Sequence, residues 1–363
     1  MARCPAPRTP HIAPHRPHPA PPHSALIFRY SSIAVIAIRT IDAHVGGAPL
    51  RLIVDGFPAP RGRTMTEKRA WAERHADRLR RIVMCEPRGH RDMCGAVLTE
   101  PATPGSHAGV LFMDNGGYTS MSGHGIVAVT TIILERGLVT VPDGNSVTFD
   151  TPAGTIRARA ARTGERIGGV AFVNVPSFVL QGGVDVRFGM RALRADVAFG
   201  GAFYAIVDSE SAGIPLDAGH IDHLRPAGVA IATAVEASVT VAHPIDAYPA
   251  GIAGTVFIGP SHDGSADLRH VTVSRDGSVD RSASGTGTSA VMSVLDAMGL
   301  LDPDRDFTNE SLVGTAVCAR IAGRTVVGPH AAIVVEVDGR AWITGDHSFV
   351  VDDDDPMREG IQL

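Results

Sequence analysis

The sequence predicts an α/β (α+β) protein of two lobes, each wrapping β-structure around one central helix, and three observations lead there. First, a segment occurs twice. Ser122-Gly-His-Gly-Ile-Val-Ala-Val-Thr-Thr-Ile-Ile-Leu-Glu-Arg-Gly137-Leu and Ser284-Gly-Thr-Gly-Thr-Ser-Ala-Val-Met-Ser-Val-Leu-Asp-Ala-Met-Gly299-Leu align without a gap, as an internal duplication would leave them. Second, each copy is nearly all apolar, opened by glycines and stopped by a C′ glycine, which describes a helix buried on every side. Third, the rest of the chain alternates short β-branched runs with Gly, Pro, Asp and Asn.

The elements follow in order. Residues 1–36 are rich in proline and arginine, with His11, His15, His18 and His23 interspersed. They lack the apolar content to pack and read as a disordered extension. The histidines are not read as a metal site, because proline spacing without a fold does not preorganise ligands. Strands are expected at Ala34–Ile38, Leu50–Val54, Ala108–Phe112, Ser146–Asp150, Gly154–Ala160, Gly169–Val175, Ala195–Phe199, Phe203–Val207, Thr255–Ile258, Arg269–Val273 and Ala331–Val337. Thr66–Arg81 reads as one amphipathic surface helix, and His220–His243 as a helix followed by a strand. Two buried helices with Ser-Gly-x-Gly N-termini can face one another across one cleft. Free N–H groups and the positive helix ends there suit a small carboxylate.

Composition excludes several classes. The chain of 363 residues carries a formal charge of −5, without the basic stripe of a nucleic-acid binder. No apolar run approaches the roughly 20 residues that span a bilayer. Cys4, Cys85, Cys94 and Cys318 show no paired spacing and read as free thiols in a reducing, cytoplasmic setting. Each repeat fits the loose Gly-x-Gly-x-x-Ala dinucleotide fingerprint, but no ribose-binding acid follows at the end of a next strand, so a dehydrogenase is not expected.

His44-Val-Gly-Gly, Glu86-Pro-Arg-Gly-His90, Asp92-Met-Cys-Gly-Ala-Val-Leu-Thr, Asn115-Gly-Gly-Tyr, Met121-Ser-Gly-His-Gly, Asp150-Thr-Pro-Ala-Gly, Asn174-Val-Pro-Ser-Phe, Phe199-Gly-Gly-Ala-Phe-Tyr and Asp280-Arg-Ser-Ala-Ser-Gly-Thr-Gly-Thr resemble the proline racemase superfamily from about Ala37 to near the C-terminus. The resemblance implies the diaminopimelate-epimerase-like fold, two pseudo-symmetric lobes that clamp a cyclic amino acid without cofactor or metal. It also implies a homodimer and lobes of 37–165 plus 325–363 and of 166–324.

Racemases of this family have a cysteine at each of the two sites where this chain has Ser122 and Ser284. Racemisation needs one group to remove the Cα proton and another to return one from the opposite face. A thiol, with a pKa of about 8.5, suits both tasks, whereas a serine needs an activating neighbour. Loss of both thiols argues against racemisation. It favours what the resemblance implies for members without the second thiol, dehydration of trans-3-hydroxy-L-proline to Δ1-pyrroline-2-carboxylate. Proline racemase or 4-hydroxyproline 2-epimerase activity, and non-catalytic binding of proline-like acids, are the alternatives.

In that reading Ser122 takes the Cα proton with His124 as its activator or as a hold on the ring nitrogen, and Asp280 pairs with the ring ammonium. Backbone N–H groups of Gly123, His124, Gly285 and Thr286 hold the carboxylate and stabilise the charge that grows on it. Ser284 or Thr286 bonds the departing hydroxyl. Cys94, in Met93-Cys94-Gly95, mimics the racemase tripeptide but sits upstream and reads as a packing residue, as do Cys85 and Cys318. His44, His90 and Asp92 read as structural.

Overall fold

The computed structural model describes residues 36–245 and 250–362, so all but the last residue of the expected extension 1–36 lies outside them. The first half runs β1 (Ile36–Val45), β2 (Ala48–Asp55), α1 (Met65–His75), α2 (Asp77–Met84), β3 (Cys94–Thr99), β4 (Ala108–Asp114), β5 (Tyr118–Thr119), α3 (Gly123–Arg136), β6 (Ser146–Thr151), β7 (Gly154–Thr163) and β8 (Arg166–Val173). The second runs β9 (Ser177–Phe188), β10 (Arg191–Phe199), β11 (Phe203–Asp208), α4 (Ser209–Ala212), α5 (Ile221–Ser238), β12 (Ile252–Gly259), β13 (Leu268–Ser274), α6 (Gly285–Ala297), β14 (Phe307–Glu310), β15 (Ala316–Val327) and β16 (His330–Gly339). A last strand, β17 (Ala341–Val351), returns to pair with β1 along its length.

The duplication extends to the strand pairing. From β17 through β1, β2, β3, β4, β6 and β7 to β8, neighbours pair antiparallel, antiparallel, parallel, antiparallel, parallel, antiparallel and antiparallel. From β9 through to β16 the order of pairings is the same. The second set closes on itself, because β16 also pairs with β9, and closure removes open sheet edges. A β8–β16 pairing joins the two sets. Each set surrounds one repeat helix: α3 packs on β1, β2, β3, β7, β8 and β17, and α6 on β9, β10, β11, β15 and β16. By this pattern we propose lobes of 36–173 plus 341–351 and of 177–339, so that only β17, and not β16, returns to the first lobe.

Both repeat helices are buried because they carry almost nothing that needs water. In α3 every residue from Gly123 to Ile133 is buried, and in α6 every residue from Gly285 to Val294. Several of the hydroxyls they enclose bond to their own backbones, as Thr131 Oγ1 does to the Val127 carbonyl at 2.9 Å, Ser289 Oγ to the Gly285 carbonyl at 2.9 Å and Ser293 Oγ to the Ala290 carbonyl at 2.7 Å. Strand β7 shows the complementary pattern, with Ile156, Ala158 and Ala160 buried between exposed Thr155, Arg157 and Arg159, the period-two face of a half-buried strand.

Three expectations are corrected. The single helix at 66–81 is two, α1 and α2, broken at Ala76, where α1 ends on the Ala72 carbonyl. The break turns Ile82, Val83 and Met84 into a second small core with Ala72 and Leu111. No strand follows α5 at 239–243. Cys85 and Cys94 are free as expected, but Cys318 is disulfide-bonded, and Cys4 lies outside the described residues.

Candidate active site

The two helix N-termini meet. A Cβ on Gly123 would lie 2.7 Å from the Gly285 Cα, and one on Gly285 would lie 3.2 Å from the Gly123 Cα and 2.9 Å from Phe172 Cζ. Only glycine lets the backbones come so close, which explains the first Gly of each Ser-Gly-x-Gly. The second Gly has another task. A Cβ on Gly125 would stand 2.8 Å from Ser122 Oγ and 2.5 Å from Phe112 Cε1, so its absence leaves the hydroxyl uncovered.

Each serine is an N-cap. Ser122 Oγ accepts from the Gly125 N–H at 3.2 Å, and Ser284 Oγ from the Gly287 N–H at 3.2 Å. Intrahelical bonding starts with Ile126 N–H to the Ser122 carbonyl and Thr288 N–H to the Ser284 carbonyl. The helices therefore do not use the N–H groups of Gly123, His124, Gly285 and Thr286. The structure places these four residues, both serines and Asp280 together at the junction of the lobes, where a cleft of about 450 Å³ is lined by both serines, Gly123, His124, Asp280 and Thr286. That volume suits a small ligand.

The surroundings of the two serines differ. On the first side, His124 Nδ1 lies 3.4 Å from Ser122 Oγ. Burial pushes the His124 pKa down to about 4, with the Pro49 carbonyl opposing, so the imidazole is neutral at pH 7 and able to accept a proton. On the second side, Ser284 Oγ lies 3.1 Å from Thr286 Oγ1, which lies 2.8 Å from the Tyr204 hydroxyl. Burial pushes Tyr204 up to about 12, so it stays protonated. Asp280, beside Ser284, is pushed up to about 7 by burial, with the Ser284 hydroxyl opposing and Asp92, Asp114 and Asp276 helping. The Ser284 backbone is held by His270, whose Nε2 accepts from the Ser284 N–H at 3.1 Å. Burial pushes that imidazole down to about 3, which keeps it an acceptor.

Sequence reasoning missed several of these groups. Tyr204 lies in a quoted family block but had no chemical role, and nothing in the sequence marked His270. Cys94, read as packing, lines the cleft beside Asp114. Its thiol is held well above the usual range by burial and by four carboxylates, Asp114, Asp280, Asp276 and Asp92. A thiol kept protonated is a poor base, and its place in the cleft wall departs from the packing role expected of it. Asp114, pushed up to about 6 by burial and by Asp276, shares that wall.

Two eight-strand sets around helices whose N-termini face one another over a cleft define the diaminopimelate-epimerase-like fold. The chain belongs to the proline racemase family, whose model matches residues 40–362. It is 41% identical over 325 residues to a trans-3-hydroxy-L-proline dehydratase of Bacillus cereus, with 89% of this chain and 97% of that protein covered. It is 35% identical over 330 residues to a proline racemase of Clostridioides difficile, with 90% and 98% covered. A solved hydroxyproline epimerase of Agrobacterium vitis, with trans-4-hydroxy-L-proline bound, superposes at a TM-score of 0.84 and 27% identity, with 90% and 95% covered.

Proposed function

We propose that the protein dehydrates trans-3-hydroxy-L-proline to Δ1-pyrroline-2-carboxylate, and that the Ser122 side alone does the proton chemistry. The observation that carries this reading is the unequal bonding of the two serines. Ser284 Oγ accepts from Gly287 N–H, shares a hydrogen bond with Thr286 Oγ1, itself bonded to the Tyr204 hydroxyl, and stands beside Asp280, whose pKa it lowers. A hydroxyl with these neighbours has less left to offer a substrate proton. Ser122 Oγ accepts from Gly125 N–H and has one further partner, His124 Nδ1; with that nitrogen as the acceptor, a lone pair is left for a substrate proton.

The reaction then follows with atoms balanced. The two helix N-termini hold the substrate carboxylate, and Asp280 in its ionised form holds the ring ammonium. Ser122 takes the Cα proton as its own passes to His124 Nδ1, and the growing negative charge spreads onto the carboxylate under the N–H groups. In the trans-3 isomer the hydroxyl is trans to the carboxylate, hence on the same ring face as the Cα hydrogen. The His124 imidazolium, with its pKa near 4, readily returns a proton through Ser122 to that hydroxyl. Water leaves with the C–O electrons, the C–H electrons form the Cα–C3 double bond, and the enamine tautomerises. One face serves both steps, and the second face needs no base. The relative of Bacillus cereus named for this activity supports the same choice.

The test is a pair of alanine variants. S122A should lose about 10²–10⁴-fold in kcat, and S284A less than tenfold. Equal losses, or the reverse order, would remove the one-sided mechanism.

A further inference from the structure

Asp92 and Arg225 stand outside the reacting groups, yet they join the lobes at the cleft. Arg225, on α5 of the second lobe, donates from Nη1 to Asp92 Oδ1 at 2.8 Å and from Nη2 to Asp92 Oδ2 at 2.6 Å, a two-pronged contact with side chains only 12% and 10% exposed. The same Nη1 donates to the Gly277 carbonyl at 2.6 Å, and the Val279 N–H donates to Asp92 Oδ1 at 3.1 Å. The pair thus grips residues 277–279, the three that lead into Asp280. On the other side of the grip, Asp92 has φ +65, in the left-handed region that aspartate tolerates better than most residues, and it leads directly into Met93 and Cys94 of the cleft wall.

We propose that Arg225 and Asp92 are positioning residues, which lock the lobes together at the cleft and set where Asp280 stands against the substrate ammonium. The proposal rests on the role given to Asp280 above. Both flanks of the cleft meet at one carboxylate: pulling the lobes apart breaks the paired contact and releases the segment that carries Asp280. An Arg fork is required, since a lysine cannot meet both Asp92 oxygens and the Gly277 carbonyl in one plane.

The charges around the pair make the role testable. Asp280 faces the carboxylates of Asp92, Asp114 and Asp276, the Cys94 thiol and the hydroxyls of Ser284 and Tyr204. Asp92 faces Arg225 and Arg281, and Arg225 faces Asp222 and Asp276 as well as Asp92. In R225A the Asp92 charge is left unshielded, so the acid limb of kcat/KM, which reports Asp280, moves to higher pH. In D92N a carboxylate that opposes Asp280 ionisation is gone and Arg225 remains, so the limb moves to lower pH. Both variants raise KM for trans-3-hydroxy-L-proline at least tenfold. R225K keeps the limb in place but not KM, because it keeps the charge and loses the fork.

Opposite shifts of the limb follow from the charges alone, so KM decides: wild-type KM in D92N or R225A, or in R225K, which keeps the charge and loses the fork, would overturn the proposal. Should R225A fail to fold, D92N against R225K makes the same comparison. Titration calorimetry with L-proline, which has the ring and ammonium but no leaving group, separates this proposal from the reaction. A wild type that binds L-proline but dehydrates nothing removes the reaction, and the clamp is then decided by whether R225A binds L-proline at least tenfold more weakly or equally well. A wild type that neither binds nor turns over removes both.

Discussion

Replacing Asp280 by asparagine should make the protein more stable and inactive at once. In the folded chain this carboxyl is raised from 3.8 to about 7 by burial, so between those values the folded state holds a proton that the unfolded state has released. Stability contributed by the protonated form is therefore present at low pH and is lost as pH rises through about 4 to 7. About three units at roughly 1.4 kcal/mol each set an upper limit of about 4 kcal/mol. Because Asp280 reaches the water of the cleft, about half of that is expected. The substituted amide keeps an acceptor for the Ser284 hydroxyl and carries no charge. Urea denaturation of wild type and D280N at pH 8 should show the variant more stable by about 2 kcal/mol, with the difference vanishing near pH 4. Equal stability at pH 8, or a variant less stable there, would refute the claim that a strained, ionised carboxylate is held in the cleft.

Further outcomes follow from the same geometry. Wild-type kcat/KM should fall below about pH 7 as Asp280 takes a proton, while His124, titrating near 4, adds no second limb above pH 5; a rate flat from pH 8 to pH 5 would contradict this. C94A should keep kcat within about threefold, since its thiol stays protonated, and an inactive C94A would contradict the passive role given to that thiol. S284C places a thiol on the quiet face and should add Cα deuteration with release of the 2-epimer, followed by NMR; absence of any exchange from that face would count against the two-sided site. G123A forces a methyl to 2.7 Å from the Gly285 backbone and should cost about 1–3 kcal/mol in thermal or urea unfolding, with substrate binding lost; an unperturbed variant would deny the close contact of the helix ends.

What could be read from the sequence was whatever repeats or alternates. The matched Ser-Gly-x-Gly helices, Ser122, Ser284 and the glycines between them were legible because a buried helix without charges and a glycine pattern have few other uses. Strand β7 was legible from its alternation. Strand β17 was not, because Trp342, Thr344, Gly345, Asp346 and His347 interrupt any apolar face, and its place is set by pairing with β1. The break at Ala76 follows from packing on β4, which no periodicity records. The site divides in the same way. Residues carried by motifs could be named from the sequence, whereas His270, Asp114, the Tyr204 link to Thr286 and the Arg225–Asp92 clamp depend on elements brought together from distant parts of the chain. Cys94 was misplaced for that reason: its sequence neighbours describe β3, and only the pairing with Asp114 turns it to the cleft wall.

Everything in the mechanism turns on one face of the ring being worked on and on the hydroxyl leaving. Both are read at once by incubating the purified protein with trans-3-hydroxy-L-proline in D2O and following the mixture by NMR. The substrate should disappear into Δ1-pyrroline-2-carboxylate, with no deuterated 2-epimer. Deuteration at Cα with the epimer accumulating and the hydroxyl retained would instead mean that both faces exchange protons and that the enzyme is an epimerase.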